Sequence, residues 1–208
     1  MATNNPGKLA EFRRLLAAAP VEAVSPSDIG LEIDVDEDGL TFLANAQKKA
    51  REYATSARLP ALADDSGLVV QALGGRPGVQ SARYGGPDLD ERGRVRLLLE
   101  EMAGKADRQA AFVCVLALAK PGGPAARVFM GRCEGRIGRH PVGAGGFGYD
   151  PVFVLPDGRT MAEAPDEEKD AVSHRGLAVA EMLSQLDLAR WAGPGRADGG
   201  SLPDNPSL

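Results

Sequence analysis

The chain has 208 residues, of which 43% are hydrophobic and 25% charged, the composition of one ordinary soluble domain. Twenty-four Lys and Arg against 29 Asp and Glu leave a formal net charge of −5, which argues against a broad nucleic-acid surface but not against a local cationic pocket. No run approaches the ~20 apolar residues of a membrane span, and MATNNPGK lacks the parts of a secretory signal, so the expectation is cytoplasmic.

In chain order, Pro6-Gly7-Lys8 leads into LAEFRRLLAAA, whose Leu9, Phe12, Leu15, Leu16 and Ala19 predict one apolar helix face ended by Pro20. A short strand is expected at Val21–Val24, then an acidic loop from Ser25 to Gly39. A second helix is expected from Thr41, a suitable N-cap, to about Ala57. Leu62-Ala63 and Leu68–Val70 read as strand on either side of Asp64-Asp65-Ser66-Gly67. A third helix covers roughly Leu89–Met102. AAFVCVLALAK and ARVFMGRCEGRIG, joined by Pro121-Gly122-Gly123-Pro124, predict a hairpin that buries Cys114 and Cys133 as free thiols. Pro151–Leu155 reads as a short strand and HRGLAVAEMLSQL as the closing helix. The fold class is therefore α/β, a mixed central sheet with flanking helices. The domain spans 1–192, with a glycine-rich tail at 193–208 expected to be disordered. The TNNPGK loop precedes a helix with only Met1 and Ala2 in front of it, so the first strand of such a fold appears truncated.

Four segments carry candidate chemistry, each with a plain structural alternative. In ATNNPGK, Asn5, Pro6-Gly7 and Lys8 stand where a helix N-terminus offers free N–H groups and a favourable dipole to an anion; an ordinary turn reads the same way. It is not a Walker A loop, since Leu9 follows Lys8. In LADDSGL, the adjacent carboxylates Asp64 and Asp65 call for a cation, with Mg²⁺ the hard ion of choice; a solvated turn is the alternative. Gly143, Gly145 and Gly148 match G-x-G-x-x-G, but Tyr149-Asp150-Pro151 reads as extended chain rather than a helix start. What remains is a glycine loop carrying Phe147, able to lie against a flat ligand. Lys169, Ser173, His174 and Arg175 cluster in EEKDAVSHR, either a ligand-binding set or a surface feature. Together these describe a nucleoside triphosphate site, and no motif for covalent or zinc chemistry accompanies them.

In this order, ATNNPGK, GLTFLANAQKKA, LADDSGL, LGGRPGVQSARYGG, GGFGYDPVF and EEKDAVSHRG resemble the non-canonical purine nucleoside triphosphate pyrophosphatases, the inosine triphosphatase or dITP/XTP pyrophosphatase family. The resemblance implies two lobes with the active-site cleft between them, a homodimer, and Mg²⁺-dependent hydrolysis of ITP, dITP and XTP to monophosphate and pyrophosphate. It assigns Thr3, Asn4, Asn5, Pro6, Gly7 and Lys8, with Lys49, to the triphosphate. Asp65 is the implied general base and a metal ligand, with Asp64 and Ser66 close by. Glu37 is the second metal ligand, with Asp36 its rival. Phe147, Gly148, Tyr149, Asp150, Lys169, His174 and Arg175 are assigned to the base. The runner-up functions are a pyrophosphatase for modified pyrimidine nucleotides and a nucleotide-binding protein impaired in turnover. Ala44 stands where the family usually has Glu, and Gln80 where an aromatic residue is frequent.

Overall fold

The computed structural model describes residues 1–192; the expected tail at 193–208 lies outside them. Four strands form one sheet in the order β1 (Ala61–Val70), β2 (Gln109–Ala119), β3 (Arg127–Ile137) and β4 (Phe153–Val154). All three pairings are antiparallel, where a mixed sheet was expected. The α/β class and its flanking helices hold; the parallel component is missing because β1 has a long ladder only with β2. On its other side the chain start contributes a single bond, Ala2 N–H to the Leu62 carbonyl at 2.8 Å. Val21–Val24 does not form the expected strand, because the amino group of Met1 meets the Val24 carbonyl at 2.6 Å and no second strand lies alongside it to continue a ladder.

The first helix, α1 (Pro6–Leu15), starts where expected: Asn5 caps it by accepting the Lys8 N–H at 3.0 Å, and Pro6 occupies its first turn. It ends before Ala17–Ala19, earlier than its apolar pattern suggested. Thr41 caps α2 (Phe42–Ala57) by accepting the Ala44 N–H, and Arg58 closes it at a left-handed φ of 54°. Asp90 caps α3 (Glu91–Glu101). Two helices escaped the sequence reading. In α4 (Asp166–Val172) the acidic first turn suits the helix dipole but the span is too short for apolar periodicity, and α6 (Leu188–Ala192) is shorter still. Ser173 ends α4 and caps α5 (His174–Gln185).

The sheet is covered on both faces, and strand alternation decides what each face carries. Val115, Ala117 and Ala119 of β2 pack with Ala46, Ala50, Tyr53 and Ala54 of α2. Cys114, Leu116 and Leu118 pack on the other side with Phe12 and Leu16 from the α1 segment and Val179 and Met182 of α5. A strand buried on both faces needs a continuous apolar run, which AAFVCVLALA supplies. Cys114 and Cys133 are buried and free, as expected.

Candidate active site

Asp64-Asp65-Ser66-Gly67, expected as a break between two strands, is continuous strand within β1. The consequence is chemical. Successive side chains of a strand point to opposite faces, so the two neighbouring carboxylates do not share one environment. Asp64 pairs in register with Leu116 and faces α1 and α5; Asp65 pairs with Val115 and faces α2.

Asp65 is 4% exposed and accepts a hydrogen bond from the Asn45 side-chain amide at 3.0 Å. Burial, seconded by the nearby charge of Glu37, pushes its carboxyl up to about 6, against the pull of Asn45 and Lys49. Glu37 accepts from Lys49 Nζ at 2.6 Å, and the same ammonium donates to the Asp64 carbonyl at 2.9 Å. Thr3, Asn4, Asn5, Lys8, Glu37, Lys49, Asp65 and Ser66 line one cavity of about 250 Å³. Asp34 joins them, a residue the sequence reading did not single out, whereas Asp36 is exposed and outside the lining. Pro6 and Gly7, in the first turn of α1, are likewise not part of that lining.

Asp64 is 0% exposed. Its Oδ2 meets Lys8 Nζ at 2.9 Å, accepts from Ser66 Oγ at 2.9 Å, and lies 3.7 Å from Arg175 Nε. Burial alone would raise this carboxyl, but the charges of Lys8, Arg175 and Lys49 outweigh it and hold Asp64 below the ordinary carboxylate range. The chain of charges continues away from the Thr3–Lys8 end of the site. Arg175 pairs with Glu11 at 2.8 Å, Glu11 with Lys169 at 2.6 Å, and Lys169 with Asp150 at 2.7 Å. Glu11, Asp150, Lys169 and Arg175 are each at most 5% exposed. Ions this deep persist only when paired and hydrogen-bonded, and the chain satisfies that condition.

Of these, Asp150 and Arg175 border a second cavity of about 230 Å³, lined also by Phe112, Phe147, Gly148, Tyr149 and His174, with Glu91 and Arg94 from α3; Glu11 and Lys169 lie outside its lining. The two cavities share Asn5, Lys8, Ser66 and Ala82, so they are adjoining parts of one cleft. The Phe147 ring lies under both Lys169 and Arg175, at 5.3 and 5.1 Å from ring centre to cation. It approaches Gly7 so closely that a Cβ there would lie 2.8 Å from the ring. Gly146, at φ 70°, folds the loop over Asp150, which accepts the Phe147 N–H at 3.0 Å. Asp150–Val152 forms a short 3₁₀ turn rather than the extended chain expected there. His174 is buried and stacks on Phe112 at 4.8 Å; burial, reinforced by Arg175, keeps its imidazole neutral well below the usual range.

Sequence reasoning passed over Glu11, Asn45 and Arg94. Glu11 had only a weak signal: it lies one turn after Lys8 and one turn before Leu15, a charge at the edge of the apolar stripe of α1. Among the described residues, the buried side-chain atoms without a hydrogen-bond partner are Asp64 Oδ1, Arg94 Nε, His174 Nδ1 and Arg175 Nε. All four residues line or underlie this cleft, as expected of groups that serve a ligand.

The description "Ham1 family" belongs to a family model that matches residues 1–185. The chain belongs to the Ham1 family. Curated relatives named dITP/XTP pyrophosphatase include one from an Anaeromyxobacter species, 48% identical over 91% of this chain and 96% of its own length. Another, from Geobacillus kaustophilus, is 48% identical over 90% and 93%. Among solved structures, a HAM1 protein from Coxiella burnetii superposes with a TM-score of 0.80 at 41% identity, covering 88% of this chain and 96% of that one. A nucleoside-triphosphatase, dITP/XTP pyrophosphatase, from Mycobacterium abscessus gives 0.70 at 47% identity, covering 87% and 96%.

As a metal site the donor set is specific in kind. No group of three or more His, Cys, Asp or Glu able to hold a metal occurs among the described residues. Asp65 and Glu37 nevertheless line the same cavity, and the Asp65 carboxyl is raised by burial and by the charge of Glu37, a repulsion that a cation between them would relieve. Two carboxylates suit Mg²⁺, which keeps several waters and takes further oxygens from phosphates.

Proposed function

We propose that this Ham1-family protein hydrolyses non-canonical purine nucleoside triphosphates, ITP, dITP and XTP, to the monophosphate and pyrophosphate. The reading rests on relatives named for dITP and XTP and on one observation above the rest. Asp65, its carboxyl raised to about 6, faces a cavity that also holds Lys8, Lys49 and the capped start of α1.

The triphosphate would lie along Thr3–Lys8, where the Lys8 ammonium and the positive end of the α1 dipole neutralise phosphate charge. Lys49, held by Glu37 in the free protein, turns to a phosphate oxygen as the nucleotide enters. Asp65 accepts the proton of the attacking water, and the Asn45 amide fixes its orientation. Asp65 and Glu37 would hold Mg²⁺, which when bound supplies charge neutralisation at the phosphates. The purine would enter the aromatic half of the cleft, over Phe147 and beside Arg175 and Lys169. Those cations donate to a 6-oxo group and leave a 6-amino group without an acceptor, which disfavours ATP.

The test is a panel of ITP, dITP, XTP, ATP and modified pyrimidine triphosphates with separate assays for pyrophosphate and orthophosphate. Pyrophosphate from the deaminated purines and little turnover of ATP is expected. Equal rates on ATP, orthophosphate as product, or a preference for the pyrimidines would overturn the reading, as would tight ITP binding without turnover. A homodimer and a cytoplasmic location are the accompanying proposals, tested by light scattering and by cell fractionation. Among the described residues no helix is long and apolar enough to cross a membrane.

A further inference from the structure

Asp64 stands next to Asp65 in sequence, yet the two side chains share no hydrogen-bond partner. It is buried among Lys8, Ser66 and Arg175, which come from α1, β1 and α5. Lys8 borders both halves of the cleft, and Arg175 belongs to the aromatic half. We propose that Asp64 is a positioning residue, neither metal ligand nor general base, that holds Lys8 against the phosphates and Arg175 against the purine from one shared carboxylate. Purine selection and triphosphate binding are thereby tied together. The inference rests on the hydrolytic reading above for the identity of the nucleotide.

Three features carry it. First, strand alternation turns Asp64 away from Asp65 and Glu37, so a cation held by that pair lies on the other face of β1. Second, the contacts of Asp64 are divided between the ends of the cleft. Oδ2 meets Lys8 at 2.9 Å, and Ser66 Oγ donates to the same oxygen while accepting from an Arg175 guanidinium N–H at 2.9 Å. Third, the arrangement is braced. Arg175 is fixed from its other side by Glu11, itself bound to Lys169, so it does not depend on substrate for its position. A long lysine and an arginine in an open cleft would otherwise sample many rotamers, and fixing them beforehand reduces the entropy cost of binding.

A simple charge effect predicts the opposite sign. Removing a buried negative group beside an anionic ligand should strengthen triphosphate binding; removing a positioning group should weaken it. The experiment compares wild type, Asp64→Asn and Ser66→Ala in three measurements. These are kcat and KM for ITP and ATP, the calorimetric affinity for inorganic tripolyphosphate, and the Mg²⁺ concentration giving half-maximal rate. In Asp64→Asn, tripolyphosphate binding and the ITP-to-ATP ratio of kcat/KM should each fall about tenfold, the scale of one charge-assisted hydrogen bond. Its rise in KM should exceed its loss of kcat, with the Mg²⁺ requirement unchanged. Ser66→Ala removes the hydroxyl that bridges Asp64 to Arg175 but keeps the Asp64–Lys8 ion pair, so it should lower the ITP-to-ATP ratio by more than it lowers tripolyphosphate affinity. Tighter tripolyphosphate binding in Asp64→Asn, retained discrimination, or a shifted Mg²⁺ requirement would overturn the proposal. If Asp64→Asn does not fold, unchanged discrimination in Ser66→Ala overturns it alone. A wild-type protein that releases no pyrophosphate from ITP defeats the hydrolytic reading instead, and tripolyphosphate binding still judges the Asp64–Lys8 link.

Discussion

Asp64 and Asp65 are consecutive residues whose carboxylates lie on opposite faces of β1, one among Lys8, Ser66 and Arg175, the other beside Asn45 and within the field of Glu37. The amide replacement of each should therefore fail differently. Asp65→Asn keeps shape and removes the base, so turnover of ITP should fall on the order of 10³-fold, the usual scale of general-base catalysis. Nucleotide affinity should stay close to wild type. A near-normal rate in that variant would place the base elsewhere.

Chelation should abolish turnover and added Mg²⁺ restore it. Glu37→Gln weakens one of the two proposed ligands and removes the charge paired with Lys49 at 2.6 Å, leaving Lys49 its bond to the Asp64 carbonyl. The Mg²⁺ concentration for half-maximal rate should rise about tenfold, the scale seen when a supporting group of a metal site is lost. Titrating Mg²⁺ at saturating ITP measures it. Asp36→Asn, at an exposed side chain outside the cavity lining, should leave the Mg²⁺ requirement where it is.

Gly131 of β3 is where α5 rests on the sheet: a Cβ there would meet the His174 carbonyl and the Ala178 amide, both backbone. Neither can swing aside as a side-chain end would. Gly131→Ala should cost about 3 kcal/mol, the upper range for overpacking, and lower the urea midpoint accordingly. Because α5 begins at His174 and carries Arg175, the displacement should also raise KM for ITP.

The pH dependence of stability has a sign set by His174. Its folded imidazole stays neutral well below 6.5, whereas the unfolded chain takes up a proton there, so stability is lost as pH falls below 6.5. Asp65 acts in the opposite sense, since its raised carboxyl binds a proton in the folded state first and favours folding as pH drops through about 6. Urea melts of wild type and His174→Gln at pH 7 and 5 isolate the histidine, because Asp65 is common to both. The variant should lose less stability than wild type over that interval.

Local chemistry was legible from the chain itself. Asn5 before Pro6 and Thr41 before Phe42 cap their helices as their side chains dictate. AAFVCVLALA is apolar on every residue because both of its faces are covered, and the ordered motifs identified the family. Two signals of that local kind misled: Val21–Val24 has strand-like residues but no neighbour to complete a ladder, and the polar run DDSG looked like a turn. Asp64 can lie in a strand only because charges from Lys8 and Arg175, 56 and 111 residues distant in sequence, offset its burial. Periodicity and propensity act over a few residues, so they locate helices, strands and candidate ligands. The partner of a buried charge is decided by which elements the sheet brings into contact, and the tertiary structure alone set Glu11 between Arg175 and Lys169 and parted two adjacent aspartates.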